Sequence, residues 1–287
     1  MTEVKERSRY IRTLSQIEAF EDAQFDPALV AECERDAETV RERPLRLSTP
    51  TFKAYETGEM KGCSKMSFPA FSITAGGCAL MCDHCQAKIL EPMIPATSPE
   101  MLERKVRDLV RLQDLRGFLL SGGSNPRNEV RYERFLPAIE RLKRDFPYLR
   151  IAVHSALMNA ARARQLESAG IDTAMMDVIG AQETIREVYH LERTVDDFED
   201  TLAALCATRM EIVPHIVIGL HYGRILGEEN ALAIVSRHRV HALVLVVVMP
   251  FYAKPGTFAT PETAARKMCP TATCCSAARV PPACTSA

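Results

Sequence analysis

From about Phe68 onward the chain alternates between two textures, and that alternation limits the folds open to it. Short apolar runs occur at Ala70–Thr74, Gly117–Ser121, Leu149–His154, Thr173–Ile179, Ile212–Gly219 and Ala242–Met249. Between them lie segments with helical apolar spacing: Pro99–Gln113, Tyr132–Asp145, Asn159–Ser168, Val195–Thr208 and Ile225–Arg237. Strands that alternate with helices of this length predict βα units and a parallel sheet, an α/β fold. Six units suggest a partial TIM barrel, (βα)6. A doubly wound open sheet would produce the same alternation, so periodicity does not separate the two. Val244–Val248 is continuously apolar, which predicts a strand covered on both faces.

Three regions follow from this texture. Residues 1–66 form a polar N-terminal extension with helical stretches near Arg12–Glu21 and Pro27–Arg43 and a Ser/Thr/Pro connector at Ser48–Thr51. Residues 67–262 are the repeating core, and residues 263–287 an irregular tail. With 47% apolar and 25% charged residues and a net charge of −1, the 287-residue chain has an ordinary globular composition. Near-neutral charge argues against a dedicated nucleic-acid or anionic-membrane surface. The longest apolar stretch, Ala242–Phe251, is interrupted by Pro250 and falls short of the roughly 20 residues that span a bilayer. The charged start MTEVKERSRY has no apolar signal region, so the expected location is the cytoplasm.

In that reducing setting the ten cysteines read as metal or redox groups rather than a disulfide framework. Three form Cys78-x3-Cys82-x2-Cys85 directly after the first strand, in FSITAGGCALMCDHC. In βα barrels the loops after the strands carry the chemistry, so the triplet falls on the active face. Three thiolates suit a centre of soft ligands, zinc or iron–sulfur. Structural zinc takes four ligands, commonly in two pairs, and no second pair follows. A [4Fe–4S] cluster normally takes four cysteines, so three leave one iron open to a substrate or cofactor. His84, between two of the cysteines, is awkwardly placed to ligate. The alternative is a zinc-stapled loop in a binding or scaffolding protein.

Cys78, Cys82, His84 and Cys85 match in spacing and position the hallmark of the radical S-adenosylmethionine (SAM) enzymes, and the chain resembles that family. The resemblance implies a (βα)6 partial barrel, a [4Fe–4S] cluster on the three cysteines, and SAM held at the open iron by its amino and carboxylate groups. One electron from the cluster would cleave the sulfur–C5′ bond, and the resulting 5′-deoxyadenosyl radical would abstract hydrogen from an unactivated carbon. Ser121-Gly122-Gly123-Ser124, after the second strand, resembles the family's GGE-type loop, where small residues let backbone approach the SAM amino group. On this basis Gly123→Val should weaken SAM binding and leave cluster content near normal. The strand His215–Gly219 resembles the one along the adenine, with Gly219 at its end. Pro250 and Phe251 stand either at the adenosine pocket's edge or in packing.

TAGGCALMCDHCQ, Asp177-Val178-Ile179-Gly180, Glu183-Thr184-Ile185 and Tyr189-His190 resemble the biotin-synthase-like branch. Within it the chain looks most like the paired radical SAM proteins that together act as lipoyl synthase. That likeness implies sulfur insertion into an octanoyl chain on a lipoyl-domain protein, a paralogous radical SAM partner, and a ferredoxin- or flavodoxin-type electron donor. The alternative within the class is methylation or carbon-skeleton chemistry. Sulfur insertion implies a second [4Fe–4S] cluster, for which Cys63, 15 residues before Cys78, is the leading ligand candidate and Cys33 a weaker one. Cys206 reads as core. His154 and His215 are candidates to face the barrel lumen, His221 lies in a loop after the fifth strand, and Arg186 is a candidate carboxylate partner. The tail Cys269–Ala287, four cysteines in 19 residues without periodicity, suggests a shifted reading frame. Read from the last base of the Met268 codon, the nucleotides admit VPDSDLLLGCARPPG, which resembles the C-terminal strand and Cys loop of lipoyl-synthase-like relatives.

Overall fold

The computed structural model describes residues 66–248, 250 and 252–258. The expected N-terminal helices, Cys33, Cys63, Phe251 and the cysteine-rich tail lie outside the described residues.

Seven parallel strands form one sheet: β1 (Ala70–Ser72), β2 (Ile94–Pro95), β3 (Gly117–Ser121), β4 (Arg150–His154), β5 (Thr173–Asp177), β6 (Glu211–Ile218) and β7 (Val244–Val247). Their order is β2-β1-β3-β4-β5-β6-β7. The two-residue β2, joined to β1 by a connection with a 3-10 turn and no α-helix, turns back from β1. The remaining strands, β1 and β3 to β7, lie side by side in chain order without reversal. Right-handed crossovers in such an order put the helices on one face, whereas in a doubly wound sheet helix-bearing units run both ways from the reversal. The order of the helix-connected strands is that of a partial barrel. All six expected strands are present, and the two-residue β2 is an edge addition that sequence periodicity did not reveal.

The helices are α1 (Pro99–Leu112), α2 (Leu136–Asp145), α3 (Ala160–Ser168), α4 (Gln182–Glu187), α5 (Val195–Cys206) and α6 (Glu228–Ser236). Ser98 caps α1 by accepting from the Met101 N–H, with Pro99 in the first turn. Leu102 and Val106, one turn apart, are wholly buried beneath it. Ion pairs Arg141–Glu103 and Arg107–Asp145 tie α1 to α2. α6 starts three residues after the expected Ile225, behind Gly227 at φ +95°, a left-handed position suited to glycine. α4, six residues long, went unforeseen because it is too short to show a period.

β5, and β6 as far as Val217, alternate between buried and half-buried residues. The buried set, including Ala174, Met176, Ile212 and Ile216, joins one core with Leu202 and Leu205 of α5. The half-buried set, with Asp177 and His215, occupies the opposite face. β7 departs from expectation. Val244, Leu245, Val246 and Val247 are 37–66% exposed, not covered on both faces. Among the described residues β7 pairs with β6 alone, at the edge of the sheet. Among the described residues, no helix is long and apolar enough to cross a membrane.

Candidate active site at the carboxyl ends of the strands

The cysteine loop leaves β1 through a tight turn in which the Gly77 N–H donates to the Thr74 carbonyl at 3.0 Å. The loop after β3 packs directly on it. Ala79 N–H donates to the Ser124 carbonyl at 2.9 Å, the Cys78 thiol approaches that carbonyl at 3.8 Å, and Gly123 N–H donates to Thr74 Oγ1 at 2.8 Å. Gly122 and Gly123 are where two backbones meet. A Cβ on Gly122 would lie 2.7 Å from Ile73, and one on Gly123 1.9 Å from the Gly77 carbonyl oxygen. The glycine pair thus shapes the cysteine loop, a role the sequence had not separated from cofactor contact.

Farther along, Gln86 folds back and donates from Nε2 to the Met81 and Cys82 carbonyls at 2.8 and 3.0 Å. Met81, Gln86 and Ala87 all take positive φ, so the three cysteines sit on a strongly curved backbone. Asp83 is the loop's anchor. Its buried carboxylate accepts from His190 Nε2 at 2.9 Å and from the Tyr222 hydroxyl at 3.1 Å, with Lys254 Nζ at 3.6 Å. These partners come from the segment after α4, the loop after β6 and the segment after β7. Asp83 and Tyr222 carried no sequence signal, because their role exists only once three loops converge.

Burial, followed by the charges of the neighbouring sulfurs, pushes the Cys82 thiol well above its ordinary range. Burial also lifts Cys85 to about 11, with Cys78 a further contributor. Crowded, buried thiols of this kind ionise readily only against a cation, so the donor set fits a metal cluster. Beside them the His84 ring stacks obliquely on Tyr189 at 5.1 Å, and burial lowers its pKa. Its Nδ1 and the Tyr189 hydroxyl are buried without a hydrogen-bond partner.

Other candidates separate into two groups. His154, Asp177 and His215 converge on the lumen face. Burial alone would raise the Asp177 pKa, but His154 and then His215 hold it at about 2. His221 instead is buried against Thr184, 3.3 Å from its hydroxyl, and packs on Tyr222. Arg186 is exposed and pairs with the adjacent Glu187 at 3.0 Å. Cys206 packs partly against the core. Gly219, at φ +76° just after β6, donates its N–H to Glu228 at 2.8 Å. Ser121 is buried at the end of β3.

A singly wound parallel sheet carrying a three-cysteine loop after its first strand defines a class of iron–sulfur barrel enzymes. Residues 72–232, more than half of the chain, match the Radical SAM superfamily, and the protein belongs to that family. A biotin synthase from Desulforudis audaxviator (strain MP104C) is 29% identical over 154 residues, spanning 51% of this chain and 45% of that protein. The chain thus matches about half the length of this relative. Among solved structures, methylornithine synthase superposes with a TM-score of 0.50 at 15% identity, covering 66% of this chain and 54% of the other. HydG, a maturase of the [FeFe]-hydrogenase, gives 0.51 at 14% identity, covering 68% and 47%. The family implies a [4Fe–4S] cluster and SAM.

Proposed function

We propose that this radical SAM enzyme inserts sulfur into an unactivated acyl chain, in the manner of the paired lipoyl synthases. The observation that carries the proposal is the similarity to a biotin synthase over 154 residues. The cysteine-loop text TAGGCALMCDHCQ supports it. When bound, the cluster and SAM supply one-electron cleavage of the sulfur–C5′ bond, yielding methionine and a 5′-deoxyadenosyl radical.

The chain's own residues have distinct tasks in this proposal. Cys78, Cys82 and Cys85 ligate three irons. Gln86 and Asp83 hold their loop in its curved form, and Gly122–Gly123 bring the β3 loop against it. Ser121, Ser124 and Gly219 flank SAM, and His84, wedged against Tyr189, borders the cluster. The lumen face excludes bulk water and receives the octanoyl chain. The proposed partners are a ferredoxin- or flavodoxin-type electron donor, a paralogous radical SAM protein and an octanoylated lipoyl domain. A second cluster, consumed as the sulfur donor in this proposal, would take ligands such as Cys63.

The test uses reconstituted protein, its paralogous partner, SAM, a reductant and an octanoyl-lysine lipoyl-domain peptide. Sulfur incorporation into the peptide, seen by mass spectrometry alongside 5′-deoxyadenosine, is the expected result. Robust SAM cleavage with no sulfur-bearing peptide would reject sulfur insertion and leave the radical SAM assignment intact.

A further inference from the structure

We propose that Tyr189 donates a hydrogen bond to the sulfur edge of the iron–sulfur cluster and thereby sets its reduction potential. A three-residue strap, Val188-Tyr189-His190, holds it against the cysteine loop, and each strap residue meets the stretch between Cys82 and Cys85. The Asp83 N–H donates to the Val188 carbonyl at 2.9 Å. The Tyr189 ring leans on His84 with centroids 5.1 Å apart, and His190 Nε2 lies 2.9 Å from the Asp83 carboxylate. The strap hangs from the end of α4, where the Val188 N–H donates to the Thr184 carbonyl at 3.0 Å. The Tyr222 hydroxyl closes the junction, 2.8 Å from the Glu187 carbonyl and 3.1 Å from the Asp83 carboxylate.

This framework fixes everything about Tyr189 except its hydroxyl. The residue is 5% exposed, yet its oxygen has no hydrogen-bond partner among the described residues. A buried hydroxyl is costly to leave unpaired, so the position calls for an acceptor from outside the chain. Burial, then the charges of Asp177, Cys82 and Cys85, raise its pKa well above the ordinary value, so the hydroxyl keeps the proton it would donate. Two of those charges belong to the ligand triplet, in line with a ring that leans on the residue between them. Asp177 is the competing acceptor within the chain, and no hydrogen bond to it closes.

The contact has a direction. Reduction adds one negative charge to the cluster, and an O–H aimed at its sulfur stabilises the reduced state more than the oxidised one. Tyr189 therefore raises the potential and eases the electron's entry. The inference rests on the cluster of the radical SAM family, not on sulfur insertion.

The test is a redox titration of anaerobically reconstituted wild type and Tyr189→Phe, without SAM, read by electron paramagnetic resonance of the reduced cluster. Phenylalanine keeps the ring against His84 and removes only the hydroxyl. Iron and sulfide per chain should not change, and the midpoint should fall by about 59 mV, a tenfold loss in the one-electron equilibrium. After exchange into deuterated water, pulsed resonance should detect a deuteron coupled to the wild-type cluster and absent from the variant. An unchanged midpoint would leave the hydroxyl to Asp177 or to SAM and overturn the proposal. So would a shifted midpoint with the deuteron coupling intact. Loss of the cluster from the variant would also overturn it, by making Tyr189 a support of the loop. None of these readouts needs an acyl substrate, so failure of sulfur insertion leaves them untouched.

Discussion

A methyl group at Gly123 would meet the Gly77 carbonyl oxygen at 1.9 Å and the Cys78 Cα at 2.6 Å. Both obstacles are backbone, so Gly123→Val must push the cysteine loop away. The expected outcome therefore changes from the sequence-based one: cluster content, counted as iron and sulfide per chain, should fall together with SAM affinity. Normal iron with weakened SAM binding would restore the cofactor-contact role. Asp83 supplies a second residue-scale prediction. Asp83→Ala removes the acceptor shared by His190 and Tyr222 and should destabilise the apoprotein by about 1–3 kcal/mol, read from denaturant unfolding. For the ligands themselves, Cys78→Ala, Cys82→Ala or Cys85→Ala should each abolish 5′-deoxyadenosine formation, measured by chromatography under reducing conditions. Any one that cleaves SAM normally would remove that cysteine from the ligand set.

At the scale of elements, α5 is the best-specified helix. Thr194 accepts from the Asp197 N–H while the Asp197 carboxylate accepts from the Thr194 N–H, and Phe198, Leu202 and Leu205 repeat along the buried face. Thr194→Ala should cost about 1 kcal/mol in thermal or urea unfolding. Glu199 on the same helix accepts from Arg237 at 2.9 Å, and that bond holds its carboxyl below the usual range. A lowered folded-state pKa stabilises above the unfolded value of about 4.3 and loses that contribution as pH falls through the folded value. Urea midpoints of wild type and Glu199→Gln should accordingly differ at neutral pH and converge in acid. Elements were legible where they carried their own period or cap, as α1 and α5 do. β2 and α4 carried neither, and β2 exists because β1 offers it an edge.

For the whole molecule, iron and sulfide counting after anaerobic reconstitution reads the number of clusters. About four irons per chain would mean one cluster, on the triplet, and about eight a second cluster of the kind sulfur insertion needs, with Cys63 as the leading ligand candidate. The sequence by itself determined the alternation of βα units and the position of three soft ligands after the first strand, because both are local: apolar period and residue spacing survive in a linear string. Strand order, which separates a partial barrel from a doubly wound sheet, is a pairing choice between distant segments and emerged only in the folded chain. So did the exposure of β7, whose apolar run looks alike in a central or an edge strand. The site divides the same way. Cys78, Cys82 and Cys85 share one loop and are visible as text, whereas Asp83 with His190 and Tyr222, or Asp177 with His154 and His215, are partners up to 139 residues apart. Only the folding of the sheet and its loops brings such side chains together.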